Sequence, residues 1–160
     1  MNLSLGATKT SHSPWNYYYK RSHNAMEESK CKVLLVDDEE EFLKTLIKRL
    51  RKRNFLVDAV PSGEEALAYI KSNPVDVVVL DVRMPGMDGI QTLNAIKATH
   101  PLIEVIMLTG HANVEVAVRG MDLGAFDYLM KPMDIDDLVY KIEDAYKRKK
   151  LKEKLETEEK

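Results

Sequence analysis

Residues 77–89 read VVVLDVRMPGMDG. Four consecutive apolar residues, Val77 to Leu80, run into one carboxylate, Asp81, and then into a segment carrying Pro85, Gly86 and Gly89. A short, almost continuously apolar run closed by turn-forming residues reads as a strand covered on both faces, because a half-exposed strand alternates apolar with polar. An acid directly behind such a strand is costly unless it has a partner or a purpose.

Outward from this stretch the pattern repeats. Short apolar runs stand at KVLLV (32–36), FLVDAV (55–60), DVVVL (76–80), EVIML (104–108) and FDYLM (126–130). Between and after them lie helical spacings: Phe42, Leu43, Leu46, Ile47 and Leu50; Ala66, Leu67 and Ile70; Ile90, Leu93 and Ile96. A shorter, weaker stripe follows at Val114, Ala117, Val118 and Met121, then a longer one at Ile135, Leu138, Val139, Ile142 and Ala145. Ser62 with Glu65 forms a capping-box pattern, Asp134 is placed to cap the last helix, and Asp88 reads as a loop or helix-start acid. Strands alternating with helices predict an α/β domain with a doubly wound, five-stranded parallel sheet and five helices.

The ends differ from this middle. Residues 1–25 hold no acid, the basic residues Lys9, Lys20 and Arg21, an aromatic knot at Trp15 and Tyr17 to Tyr19, and no period. Residues 1–27 are expected to be a disordered leader or tag-like segment; a basic, aromatic arm touching RNA or a partner is the other reading. At the far end the apolar stripe fades after Tyr146 into KRKKLKEKLETEEK (147–160). Residues 28–148 are therefore expected to form the folded domain, and 149–160 a solvated helical extension, linker or coiled-coil start.

Composition narrows the function classes. With 160 residues and a formal net charge of −2, the chain has room for one core and no basic excess of the kind a nucleic-acid binder shows. The single cysteine, Cys31, cannot close an intrachain disulfide, which fits a reducing compartment, and reads as a small residue at the core edge. No apolar run approaches the ~18 residues of a membrane span. A cytoplasmic location is expected, without a membrane partner and without direct nucleic-acid binding.

In open parallel sheets, ligands bind outside the carboxyl ends of the strands, where the strand order reverses. The first strand ends in Asp37 and Asp38, the third in Asp81 and the fourth in Thr109, and the fifth is followed by Lys131. The fold sends these distant residues to one rim. Three carboxylates crowded together repel one another and call for a cation. Hard oxygen ligands suit Mg²⁺, which takes one or two carboxylates, keeps several waters and binds substrate phosphate. A rim of acids, a hydroxyl and an ammonium thus suits phosphoryl transfer to an aspartate, since that chemistry needs chiefly positioning and charge neutralisation.

The segments VLLVDDEE, LDVRMPGMDG, IMLTGHA and GAFDYLMKP resemble, in order, the motifs of the receiver domain of two-component response regulators. The resemblance covers about residues 31–148. It implies the flavodoxin-like strand order 2-1-3-4-5 and a phosphorylation-controlled switch rather than a turnover enzyme. Its only chemistry is its own phosphorylation and dephosphorylation. Asp81 is then the phosphoacceptor, taking its group from a phosphohistidine on a sensor histidine kinase or phosphotransfer protein. Asp38, Asp81 and the backbone carbonyl of Arg83 are implied as direct Mg²⁺ ligands, with Asp37 acting through water and Mn²⁺ able to substitute. Lys131 is implied to pair with the phosphoryl group, before a cis peptide to Pro132. Thr109 and Tyr128 are implied as the switch pair that alters the surface of the fourth and fifth helices. Arg83 and His111 are implied to tune the lifetime of the phosphorylated state. The implied partners are the kinase, a downstream effector protein or effector domain, and a second copy pairing through the fourth-helix to fifth-helix face.

Three other functions share part of this pattern. A phosphatase of the haloacid-dehalogenase type also uses an aspartate nucleophile, but places it in a D-x-D pattern after the first strand, where this chain has Asp37-Asp38. A flavodoxin needs a hydroxyl- and glycine-rich phosphate loop there. A receiver-like interaction module independent of phosphorylation has usually lost an acid, the threonine or the lysine.

Overall fold

The computed structural model describes residues 30–110 and 114–159. The segment read as a leader (1–27) and the lifetime residue His111 lie outside the described residues. Among those described, the elements are β1 (Lys32–Val36), α1 (Glu40–Arg51), β2 (Leu56–Val60), α2 (Gly63–Ser72), β3 (Val77–Asp81), α3 (Gly89–Thr99), β4 (Glu104–Thr109), α4 (Val114–Asp122), β5 (Asp127–Met130) and α5 (Ile135–Glu159). All strand pairs are parallel and the order is β2-β1-β3-β4-β5. The expected doubly wound sheet is present in the expected order.

Burial explains the sequence pattern. Every residue of β3 and β4 is buried, and β1 is buried after Lys32, so the three inner strands can be apolar on both faces. The edge strands β2 and β5 are only partly covered and carry Asp58 and Asp127. One face of the sheet packs Val33, Leu35, Val77, Val79, Ile106 and Leu108 against α1 (Leu43, Leu46, Leu50) and α5 (Leu138, Ile142, Ala145). The opposite face packs Leu34, Val36, Val78, Leu80, Val105 and Met107 against α2 (Ala66, Ile70) and α3 (Leu93, Ile96). Each fully buried Val or Leu side chain contributes roughly 1.5–3 kcal/mol, so these two layers dominate the stability.

Helix starts follow their capping chemistry. Asp88 is the N-cap of α3, and a complete capping box joins its side chain to Gln91. Ser62 accepts from the Glu65 amide at the start of α2, and Asp134 accepts from the Asp136 amide at the start of α5. Gly89, one residue inside α3, sits where a Cβ would lie 2.4 Å from the Asp81 carbonyl oxygen, so this helix can approach the end of β3 only without a side chain. The neighbouring Gly86 has φ +74°, a left-handed conformation that glycine adopts freely.

Two elements add what the sequence pattern did not show. The stripe on α4 does not turn inward: Val114, Val118 and Met121 are exposed, and the buried residue of this helix is Gly120, against Met107. The apolar pattern there is a surface, which explains its weak period. Secondly, α5 continues unbroken to Glu159. The segment read as a solvated helical extension is helical and is exposed over 154–159, but Lys149 within it is only 9 % exposed. The apolar stripe ends where ion pairs take over the inner side of the helix. Asp76 and Glu104, both buried at strand starts, receive those cations.

Candidate functional site

The sheet order reverses between β1 and β3, whose following helices lie on opposite faces of the sheet. The Val36–Leu80 register brings the residues that follow β1 beside the end of β3. Carboxylate oxygens of Asp37, Asp38 and Asp81 all lie within 4.8 Å of one another there. Asp37 and Asp81 are buried and Asp38 is exposed. The rim is therefore closed beneath and open to approach at Asp38.

Lys131 reaches into this cluster from the loop after β5. Its Nζ lies 2.6 Å from Asp37, 3.6 Å from Asp81 and 3.8 Å from Glu39. The same ammonium stands 4.4 Å from the centre of the Phe42 ring at the start of α1. Its backbone N–H donates to the Thr109 carbonyl at 2.7 Å, and the Lys131–Pro132 peptide is cis. Burial works against the lysine's charge, but the Asp37 hydrogen bond and the charges of Asp37, Asp81 and Glu39 outweigh it, so its pKa is raised.

The loop after β3 is tied down at several points. Val82 N–H donates to the Leu108 carbonyl at 3.0 Å, and Gly89 N–H to the Val82 carbonyl at 2.9 Å. Met87 N–H donates to the Glu64 carboxylate of α2 at 3.0 Å; the Glu64 backbone N–H, and after it this Met87 bond, hold the Glu64 pKa below its ordinary value. Asp81 is consequently held by a rigid strand and a braced loop.

Electrostatically, the cluster is short of positive charge. The Asp81 carboxyl is pushed up to about 6, first by burial and then by Asp37 and Asp38, against the lowering effect of Lys131 and of a hydrogen bond from the Arg83 backbone. A second cation would relieve this. All-oxygen donors spaced this closely fit a small hard divalent ion. The donor set and the Asp81 shift agree.

Of the sequence-derived site residues, the structure brings Asp37, Asp38, Asp81 and Lys131 together. Thr109 is buried at the last position of β4, on the same rim. Arg83 is exposed beside Asp81. Tyr128 is 42 % exposed on β5, opposite Met107 in the register rather than opposite Thr109. Sequence reasoning missed Phe42 and Glu39 as neighbours of Lys131. Phe42 counted only as one apolar position of a helical stripe, and nothing local marks a ring as the seat of a distant ammonium.

These features define a receiver. The model of the response regulator receiver domain family matches residues 33–143, and the chain belongs to that family. It is 41 % identical over 113 residues to the DNA-binding transcriptional regulator NtrC of Salmonella typhimurium, covering 71 % of this chain and 24 % of that one. It is likewise 41 % identical over 120 residues to the transcriptional regulatory protein ZraR of the same organism, covering 75 % of this chain and 27 % of the relative. Among solved structures, a response regulator receiver domain from Clostridium thermocellum superposes with a TM-score of 0.72 at 37 % identity, covering 76 % of this chain and 98 % of that one. The chain spans about a quarter of the length of the curated relatives it matches.

Proposed function

We propose that this protein is a phosphorylation-controlled switch in which Asp81 accepts a phosphoryl group from the phosphohistidine of a sensor kinase or phosphotransfer protein. The observation that carries this reading is the meeting of Asp37, Asp38 and Asp81 with Lys131 3.6 Å from the Asp81 carboxylate. An Asp81 oxygen attacks phosphorus, the phosphorus–nitrogen bond breaks, its electron pair returns to the imidazole, and Asp81 becomes an acyl phosphate. Lys131 neutralises an oxygen of the transferred group, and Thr109 donates a hydrogen bond to another. Asp38, Asp81 and the Arg83 carbonyl would hold Mg²⁺, with Asp37 contributing through water. The bound ion offsets negative charge that otherwise keeps an anionic donor away.

Tyr128, exposed on β5 in this state, turns inward as Thr109 moves toward the phosphoryl group, which alters the α4–β5–α5 surface. Arg83, next to Asp81, and His111 set how long the modification lasts. The output passes to an effector protein or effector domain. We assign the reaction to the cytoplasm, in keeping with the buried free thiol of Cys31; no helix among the described residues is long and apolar enough to cross a membrane.

Acetyl phosphate with Mg²⁺ is expected to add one phosphoryl group by intact mass, and Asp81→Asn to abolish it. Labelling that persists in the Asn variant at another residue overturns the assignment. Repeated turnover of phosphate esters by wild-type protein argues for a phosphatase instead.

A further inference from the structure

A second cluster of buried charge lies at the opposite pole of the sheet from Asp81, one strand length away, about 16 Å for five residues. Glu104 opens β4 and is 0 % exposed, an extreme position for a carboxylate. Lys97 of α3 lies 3.3 Å from it, Lys152 of α5 lies 3.5 Å away, and Arg148 Nε of α5 donates to its other oxygen. Asp76, directly before β3, accepts from the Lys32 backbone N–H and from Lys149 Nζ of α5, each at 2.9 Å. Lys149 is itself buried and also pairs with Glu153 one turn further on. The Arg148 guanidinium stands 4.6 Å from the centre of the Phe126 ring, so it is held by stacking as well as by charge.

Buried acids of this kind are tolerated only when paired. Most of the partners here come from the last turns of α5, beyond the point where its apolar stripe stops. A free helix of about 12 residues is marginal in water, and this one is almost wholly charged. The acids need the helix, and the helix needs the acids.

We propose that Asp76 and Glu104 latch the end of α5 onto the base of the sheet, making residues 148–157 a rigid continuation of the domain. This goes beyond the phosphorylation reading and stands independently of it. Where both hold, any displacement of α5 at the Asp81 end is carried to the far end of the helix without being lost in a flexible joint.

Hydrogen exchange on the full chain, read by mass spectrometry, tests the latch without any phosphodonor. Amides of 149–156 are expected to exchange at least tenfold more slowly than those of a synthetic peptide of residues 147–160. Arg148→Ala combined with Lys152→Ala changes side chains that are partly exposed, and therefore spares the fold. It is expected to speed exchange at 149–156 at least fivefold while 138–145 stays unchanged. Glu104→Gln approaches the same contact from the sheet side; because it alters a fully buried side chain and also releases Lys97 of α3, the helix-side pair is the deciding variant. Exchange of 149–156 at the peptide's rate in wild-type protein, or no acceleration in the double variant, overturns the latch.

Discussion

Asp81 is the side chain on which sequence, geometry and electrostatics converge. With no metal bound, burial and the neighbouring acids raise its pKa to about 6. The native state then holds the proton more tightly than the unfolded chain, where an Asp titrates near ~4. Stability is therefore greatest at low pH in this window and declines as pH rises from about 4 through about 6. Above it, the ionised carboxylate costs on the order of 2–3 kcal/mol. In chelator, Asp81→Asn is expected to be more stable than wild type by ~1–3 kcal/mol at about pH 7.5, with the gap closing as the pH falls from about 6 to about 4. Urea unfolding at both pH values checks it; equal midpoints at the higher pH sink the assignment of strain to this charge. Gly89 is the second sensitive position. A methyl placed 2.4 Å from the Asp81 carbonyl oxygen must push α3 off the end of β3. Gly89→Ala is expected to cost about 1–3 kcal/mol in thermal or urea unfolding. Loss of Mg²⁺ affinity is expected to accompany it, because the same shift moves the Asp81 strand end.

Among the elements, α5 departs most from its sequence pattern. Its first turns bury Leu138, Ile142 and Ala145, and its last turns replace apolar contact with Arg148, Lys149 and Lys152. Ending the chain after Lys147 removes Lys149, the cation paired with Asp76, and two of the three facing Glu104. The shortened protein is expected to lose about 2–4 kcal/mol in urea unfolding, since breaking a buried pair exposes an uncompensated charge. An unchanged midpoint shows that the end of α5 contributes nothing to the domain. Helix α4 behaves in the contrary way: Val114, Val118 and Met121 face outward, and its buried residue, Gly120, packs against Met107. Little apolar burial holds α4, and its neighbour β5 exposes Tyr128 and Met130. Under the proposed switch, this lightly buried region is the one expected to move.

For the molecule as a whole, the two poles of the sheet carry opposite designs. At the carboxyl ends of the strands, three acids face one lysine and a cation is wanted; at the amino ends, two buried acids are amply matched by α5 and α3. Mg²⁺ should thus stabilise the first pole alone. At ten times its Kd, Mg²⁺ is expected to raise unfolding free energy by about 1.4 kcal/mol in wild type. The gain should vanish in Asp38→Ala and persist in the Arg148→Ala, Lys152→Ala variant. Mass in solution with beryllofluoride tests whether the pairing through the α4–α5 face that the family resemblance implies accompanies activation; a monomer unchanged by beryllofluoride rules that pairing out.

The parallel sheet and the acids at its rim were legible in the chain because each is written locally, whereas the strand order came only through the resemblance of the motifs. Runs such as KVLLV and VVVL can be apolar on both faces only inside a parallel sheet, and the parallel fold sends Asp37, Asp38 and Asp81 to one rim. The capping signals at Ser62, Asp88 and Asp134 were equally local. The seat of Lys131 over Phe42, the outward face of α4 and the burial of Lys149 against Asp76 depended on tertiary contact. A charged residue's local sequence does not say whether its partner is water or a buried acid more than 70 positions away, as Asp76 is for Lys149. Backbone periodicity is a short-range property, whereas the energy of a charge is set by everything that folds around it.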